Sequence, residues 1–215
     1  MKTLPILALA LAALPLSAQA WDLRLEAPFA RAQELPPGTL QGSGQSVSGS
    51  LDTGRGAILT LSHRIVRVGP VLKFEWNAEF AHLQADGRIQ QGAAASTARL
   101  RQSGFGAGVN AQFWVPFTGF AGELGLLERV HAYRLEGAGA VQERTIARPW
   151  ARVGLRWMLP LSLPGPYLAA SWQAPLTRDR PVRDAAAQDL GGYLGAQGAG
   201  QEFQRLWTLG VGFSF

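Results

Sequence analysis

Large apolar side chains alternate with polar or small ones along much of the chain, most clearly near residue 215. The odd positions of the last segment are Phe203, Arg205, Trp207, Leu209, Val211, Phe213 and Phe215, and the even positions are Gln204, Leu206, Thr208, Gly210, Gly212 and Ser214. A period of two puts the two sets on opposite faces of a β-strand. The segment therefore predicts a strand with one bulky apolar face and one small or polar face.

The same alternation recurs in the middle of the chain. Leu72, Phe74, Trp76, Ala78 and Phe80 alternate with Lys73, Glu75, Asn77 and Glu79, and the segment 105–115 alternates apolar residues with glycines and amides. A soluble β-sandwich alternates too, with its polar face toward water and its apolar face toward a shared core. Because nearly the whole chain alternates, the pattern favours a sheet with an apolar face toward lipid and a polar face lining an interior.

Turn residues divide the chain into eight predicted strands, at 21–30, 55–68, 71–84, 98–115, 120–134, 145–158, 166–176 and 201–215. The connections 69–70, 116–119 and 159–165 are short, whereas 31–54, 85–97, 135–144 and 177–200 are longer and hydrophilic. In lipid the backbone N–H and C=O groups of both edge strands must be hydrogen-bonded, which requires the sheet to close into a barrel. We therefore predict an all-β fold over 21–215, an eight-stranded antiparallel up-and-down transmembrane β-barrel with short periplasmic turns and longer extracellular loops.

The first twenty residues have the pattern of a cleaved signal peptide. Lys2 precedes an almost wholly apolar run from Leu4 to Leu16, and Ala18-Gln19-Ala20 is a small-residue cleavage site. A membrane anchor is the alternative, but the run is short for a spanning helix, which needs about 20 residues. We expect residues 1–20 to be a signal peptide that is removed on export.

Composition narrows the chemistry that the chain can support. The net charge is +5 and the pI is about 10.4, but the arginines are scattered and no basic run is present, so we expect no nucleic-acid partner. The sequence contains no Cys and only three His, without metal-ligand spacing. We therefore predict neither a metal site nor a cofactor.

The last ten residues carry a specific resemblance. The segment 206–215, which ends in Phe213-Ser214-Phe215, resembles the C-terminal strand of Gram-negative outer-membrane β-barrel proteins. To OmpA-type and OmpW-type barrels the chain is similar only in size and strand count, and no subfamily is assigned. The resemblance implies an outer-membrane location, contact with outer-membrane lipid and lipopolysaccharide, and recognition by the outer-membrane assembly machinery. The implied assembly signal is Trp207, Leu209, Val211, Phe213 and Phe215.

Charged residues are predicted to point into the barrel. The expected interior network consists of Arg64, Lys73, Glu75, Glu79, Glu123, Arg129, Arg148, Arg152 and Arg156. Folding the predicted strands about their connections sets Arg64 opposite Glu75 and Glu123 opposite Arg156. Such pairing is expected because an unpaired charge in a poorly hydrated interior is costly.

An interior of this kind favours a plug over a pore. Eight strands enclose just enough room for side chains to fill. We predict a non-enzymatic barrel plugged by charged side chains, with a structural role or a role in loop-mediated surface interaction. A narrow channel for ions or small solutes, opened when ion pairs exchange partners, is the alternative.

A lipid-modifying enzyme is the second alternative. Such chemistry needs a nucleophile, a base on the same face and an orienting group. Ser62 and His63 are adjacent and so lie on opposite faces of a strand, and neither His82 nor His131 has a serine close by on its own strand. No catalytic residue is predicted. The alternation places His63 on the lipid-facing side of its strand, and no role is predicted for it.

The outward rim and the long loops are the candidate contact surfaces. His82, Arg134 and Arg205 lie where the apolar face ends and could meet lipopolysaccharide phosphates, although such residues often only mark the edge of the hydrocarbon. The loops 31–54 and 177–200 are expected to be exposed, and their Gly, Ser and Ala content predicts mobility.

Overall fold

A computed structural model describes residues 21–160, 165–177, 179, 182–198, 203 and 205–215. The predicted signal peptide, 1–20, lies outside the described residues. The strands are β1 Trp21–Ala30, β2 Gln33–Leu40, β3 Gln45–Leu51, β4 Gly54–Val68, β5 Leu72–Gln91, β6 Ala94–Trp114, β7 Phe120–Gly137, β8 Ala140–Met158, β9 Pro166–Pro175, β10 Ala185–Ala187 and β11 Leu206–Ser214, and one helix, α1, spans Leu190–Gly198.

Eight of these strands pair in a ring. The order is β1, β4, β5, β6, β7, β8, β9 and β11, every pairing is antiparallel, and β11 returns to β1. Next to the β1–β11 ladder, the amide N–H of Trp21 donates to the Phe215 carbonyl at 3.0 Å, and that of Phe215 donates to the Trp21 carbonyl at 2.9 Å. The predicted eight-stranded antiparallel barrel is confirmed.

The two faces of the ring differ as the alternation predicts. Outward positions are bulky and apolar, and Phe105 and Trp207 expose 66% and 65% of their surface. Inward positions on the same strands are buried and mostly polar or small. Within the described residues no helix is long and apolar enough to cross a membrane. The bulky apolar side chains on the outward face of the strands form a surface that suits lipid.

Four strands extend well past the predicted boundaries. The predicted connections 85–97 and 135–144 are mostly strand, and their turns contain only Gly92, Ala93, Ala138 and Gly139. Positive φ angles at Gly92 (55°), Ala138 (48°) and Gly139 (82°) make these turns tight. Thus β5–β6 and β7–β8 are long hairpins that project at the end of the barrel opposite Trp21 and Phe215. We call this end the hairpin end and the other end the turn end.

The segments predicted to be mobile loops contain strands and a helix within their described residues. In 31–54, β2 and β3 form a hairpin. Strand β3 pairs with the part of β5 that extends past Gly54, the first residue of β4. In 177–200, β10 pairs with β2 in parallel, and α1 lies against β8. The prediction that 31–54 is a loop is wrong, because Leu35, Val47 and Leu51 bury their side chains in a common core, which Gly and Ser content does not reveal. The mobility of these segments stays a prediction.

Candidate functional site

The centre of the barrel interior is a buried carboxylate between two guanidinium groups. Glu123, on β7, accepts a hydrogen bond from Arg24 Nη1 at 2.7 Å and from Arg156 Nε at 2.6 Å. The three residues come from β7, β1 and β8, and each occupies an inward position of its strand. All are at most 2% exposed, so the charges neutralise one another away from water.

A second carboxylate repeats this arrangement nearer the hairpin end. Glu79, on β5, accepts from Arg129 Nε at 2.7 Å and from Arg152 Nη2 at 2.7 Å. Arg129 also donates to Gln173 Oε1 at 2.7 Å. These contacts run across the barrel from β5 to β7, β8 and β9, so the side chains fill the cross-section.

Strand β1 also contributes acids to the interior network, although its residues were not among the predicted members. Asp22 accepts from Arg156 Nη1 at 2.6 Å and from Ser214 Oγ at 2.9 Å, and Tyr167 also donates to it. Glu26 accepts from Thr208 Oγ1 at 2.6 Å and lies 3.6 Å from Arg152 Nη2. The signal was present, because Asp22, Arg24 and Glu26 alternate with apolar Leu23 and Leu25.

Two of the predicted pairs need correction. Arg64 lies directly opposite Glu75 as predicted, but within the described residues no ion pair joins them, because a bulge between Arg64 and Val66 interrupts the ladder and leaves Arg64 half-buried. Glu75 instead contacts Lys73 and Gln112. Glu123 is not opposite Arg156 but opposite Gly154, two residues away, and the ion pair forms diagonally because the arginine side chain is long.

Arg148 lies apart from the main network. Its Nη2 donates to Asp179 at 2.7 Å and its Nη1 donates to the Thr177 carbonyl at 3.1 Å, beyond the end of β9. It therefore fixes the segment after β9 rather than joining Glu79 or Glu123. The remaining predicted members, Glu79, Glu123, Arg129, Arg152 and Arg156, come together with Arg24, Asp22 and Glu26.

Aromatic rings and glycines complete the packing of the charged layer. The guanidinium carbon of Arg129 lies 4.2 Å from the ring centre of Trp150, and that of Arg156 lies 4.2 Å from the ring centre of Tyr167. Gly125 leaves space for Asn110, since a Cβ there would lie 2.1 Å from the Asn110 side-chain oxygen. Cation–π contacts of this kind stabilise desolvated arginines.

An apolar layer closes the interior at the hairpin end. Inward side chains of the long hairpins meet those of β2, β3, β10 and α1. Its larger members are Leu35, Leu40, Val47, Leu51, Ile58, Leu83, Ile89, Leu100, Leu127, Tyr133, Leu135, Ile146, Trp150, Tyr193, Leu194, Phe203 and Leu206. Tyr193 donates to the Pro36 carbonyl at 2.7 Å, and burial raises the pKa of this tyrosine to about 12. The interior thus consists of a charged layer and an apolar layer, stacked along the barrel.

Two histidines make contacts that the sequence did not predict. His63 faces outward but is only 8% exposed, because it packs against the rings of Trp21 and Trp76, at centroid distances of 4.6 and 6.1 Å. His82 Nδ1 lies 2.7 Å from Ser103 Oγ, across β5 and β6 on the outer wall. Among the described residues no three His, Cys, Asp or Glu side chains are grouped so that they could hold a metal ion.

The predicted assembly signal lies on the outer face of β11. Trp207, Leu209, Val211 and Phe213 are each at least half exposed, and Phe215 follows the end of the strand. β11 pairs with β1 and β9 and so forms the seam of the ring. Its recognition by the assembly machinery stays a prediction.

The similarity to known proteins identifies the fold of this chain but not its function. No protein-family model and no curated protein matches the chain. Among solved structures, Ail of Yersinia pestis in complex with the heparin analogue sucrose octasulfate aligns over 92% of this chain and 99% of its own, with 12% identity and a TM-score of 0.50. Ail alone gives a TM-score of 0.49 at 12% identity over the same shares. The outer-membrane protease OmpT of Escherichia coli gives 0.40 at 8% identity, over 92% of this chain and 94% of its own. The chain thus has the fold of small outer-membrane β-barrel proteins.

Proposed function

We propose that this outer-membrane β-barrel is a non-enzymatic protein that does not conduct solutes and that presents a rigid β-structure at the cell surface for interaction. The hairpin end is the extracellular end in this proposal, since bacterial outer-membrane barrels have short periplasmic turns. Its partners are outer-membrane lipid and lipopolysaccharide around the wall, and the assembly machinery at β11 during insertion.

The observation that carries the proposal is the filled interior. A solute moving along the barrel axis would have to displace Arg24 and Arg156 from Glu123, and then Arg129 and Arg152 from Glu79. It would next meet the apolar layer around Trp150 and Phe203. Separating several buried ion pairs at once is costly, and an apolar layer excludes ions.

The projecting hairpins supply the surface for interaction. β5–β6 and β7–β8 hold their shape through continuous ladders up to the turns, so the exposed side chains keep fixed positions. Arg88, Arg101 and Arg144 are exposed there, and within the described residues none of them forms an ion pair. Unpaired guanidinium groups on a rigid surface suit an anionic partner, such as a sulfated or phosphorylated glycan.

The test is binding of the folded protein to immobilised heparin, a probe suggested by the ligand in the Ail complex. Wild type should bind and elute at a raised salt concentration. The variant R88Q/R101Q/R144Q should elute at a clearly lower salt concentration, because three counterion-releasing contacts are lost. Retention of the variant at the wild-type salt concentration, or no binding by wild type, would contradict the proposed surface role.

A second candidate function rests on the His82–Ser103 contact. The hydrogen-bonded pair faces outward two positions beyond the lipid-facing rings of Phe80 and Phe105, where lipid ester bonds would lie. A serine next to a histidine base is the minimal arrangement for acyl transfer. Within the described residues, however, no carboxylate or amide contacts the other ring nitrogen of His82, so an orienting group is missing.

The variant Ser103→Ala decides between the two candidates. For the non-enzymatic proposal, purified wild type and Ser103→Ala should give the same rate of fatty-acid release from phospholipid and lipid A vesicles, at the level of vesicles without protein. Release by wild type that is lost in Ser103→Ala and in His82→Gln would establish the enzyme instead.

A further inference from the structure

Three exposed arginines lie on one side of the barrel, at the edge of its apolar surface that is nearer the hairpin end. Phe29 on β1 pairs with both Arg55 on β4 and Trp207 on β11. Arg31 directly follows Ala30 and Arg205 directly precedes Leu206, and Ala30 and Leu206 are the last pair of the β1–β11 ladder at this end. Arg55 then lies diagonally from Arg31, at the spacing of side chains on neighbouring strands.

Among the described residues, no counter-charge pairs with these three guanidinium groups. All three side chains face outward and are exposed. Within the described residues none of them forms an ion pair, although Glu34 and Asp52 are exposed close by in the sequence. Like charges on neighbouring strands repel each other, so an anion placed among them would be stabilising.

An apolar groove begins directly below the arginines, on the lipid-facing wall. It runs between β8, β9, β11 and β1 and is bordered by Phe29, Trp172 and Trp207. Farther from the arginines, Ala170 forms its floor, since the register places this small residue between Leu155 and Leu209. The groove is lined almost entirely by apolar atoms, as an acyl chain requires.

We infer that this wall is a binding site for a phosphorylated, acylated lipid of the surrounding membrane. The phosphate would lie among Arg31, Arg55 and Arg205, and an acyl chain would lie in the groove over Ala170. The charge and the groove together select this occupant, because an anion alone leaves the groove empty and an uncharged lipid leaves the arginines unpaired. This inference rests on the proposed contact between the wall and lipopolysaccharide, and it assigns that contact to one site.

Native mass spectrometry of the folded full chain in detergent tests the site. The probes are bisphosphorylated lipid A, the same lipid without phosphates, and inorganic phosphate. The variants are R31Q/R55Q/R205Q, which removes the charges, and Ala170→Trp, which fills the groove; Val153→Trp replaces the latter if it does not fold. The control R67Q/R99Q/R183Q removes the same number of charges from exposed arginines that belong to neither proposed binding surface. A heat-dependent shift in gel mobility confirms that each variant is folded.

We expect wild type to bind one lipid A preferentially. R31Q/R55Q/R205Q and Ala170→Trp should each weaken this binding by about tenfold or more, and removal of the phosphates from the lipid should do the same, whereas the control should stay within about twofold of wild type. Equal losses in the two triple variants would overturn the inference in favour of diffuse attraction. Full binding by the groove variant, or displacement of lipid A by inorganic phosphate at equal concentration, would overturn it in favour of a simple anion site. The heparin test uses the other arginines, so the two proposals fail separately.

Discussion

At the scale of single residues, the alternation shows which side chains face inward but not which of them touch. It placed Glu79, Glu123, Arg129, Arg152 and Arg156 in the interior, and all five take part in the ion-pair network. Partner assignment failed for Arg64 and Glu75, where a bulge intervenes, whereas Glu123 and Arg156 do pair but in a different register from the predicted one. Arginine reaches a carboxylate two positions along the neighbouring strand, so the pairing of Glu123 with Arg156 does not follow from the strand register alone.

Glu123 is the residue whose removal should destabilise the barrel most. In Glu123→Ala, Arg24 and Arg156 keep their charges but lose their shared partner, so the free energy of unfolding should fall by about 3–5 kcal/mol. The measurement is urea unfolding in lipid vesicles, followed by tryptophan fluorescence. Glu143→Ala is the matched control, because Glu143 pairs with Arg134 on the exposed outer wall and its loss should change stability little. Equal effects of the two substitutions would show that the interior pairs do not hold the barrel together.

At the scale of elements, the strands of the ring could be predicted and the structure at the hairpin end could not. Every ring strand was identified, because the lipid-facing and interior faces impose a strict period of two. The β2–β3 hairpin was not predicted, because its register shifts between Leu35 and Gly38 and this shift interrupts the alternation of apolar and polar residues. Helix α1 has the sequence LGGYLGAQG, which is poor in helix formers, and it is held by the burial of Tyr193 and Leu194.

The long hairpins show why hydrophilic sequence was an unreliable guide to loops. The ends of β5 and β6 carry Asp86, Arg88 and Arg99 at outward positions, which suggested a connection rather than a strand. Beyond the bilayer the outward face of a strand meets water, so charged residues are expected there. The inward residues Ile89 and Leu100 were the better indication, since both are fully buried.

At the scale of the whole molecule, the barrel is closed along its length by two layers of different chemistry. Near the turn end, acids and arginines from β1, β5, β7 and β8 neutralise one another. Near the hairpin end, an apolar core joins the hairpins to β2, β3, β10 and α1. The charged layer suits the narrow part of the barrel that lipid surrounds, whereas the apolar layer makes the projecting hairpins rigid.

Single-channel recording in planar lipid bilayers tests this closed interior most directly. The purified, folded protein should show no steady conductance under an applied voltage, whereas a porin added to the same bilayers should show regular steps. The reason is that ion passage requires the ion pairs at Glu79 and Glu123 to open and the apolar layer around Trp150 to separate at the same time. Steady openings of uniform size by the wild-type protein would contradict the account.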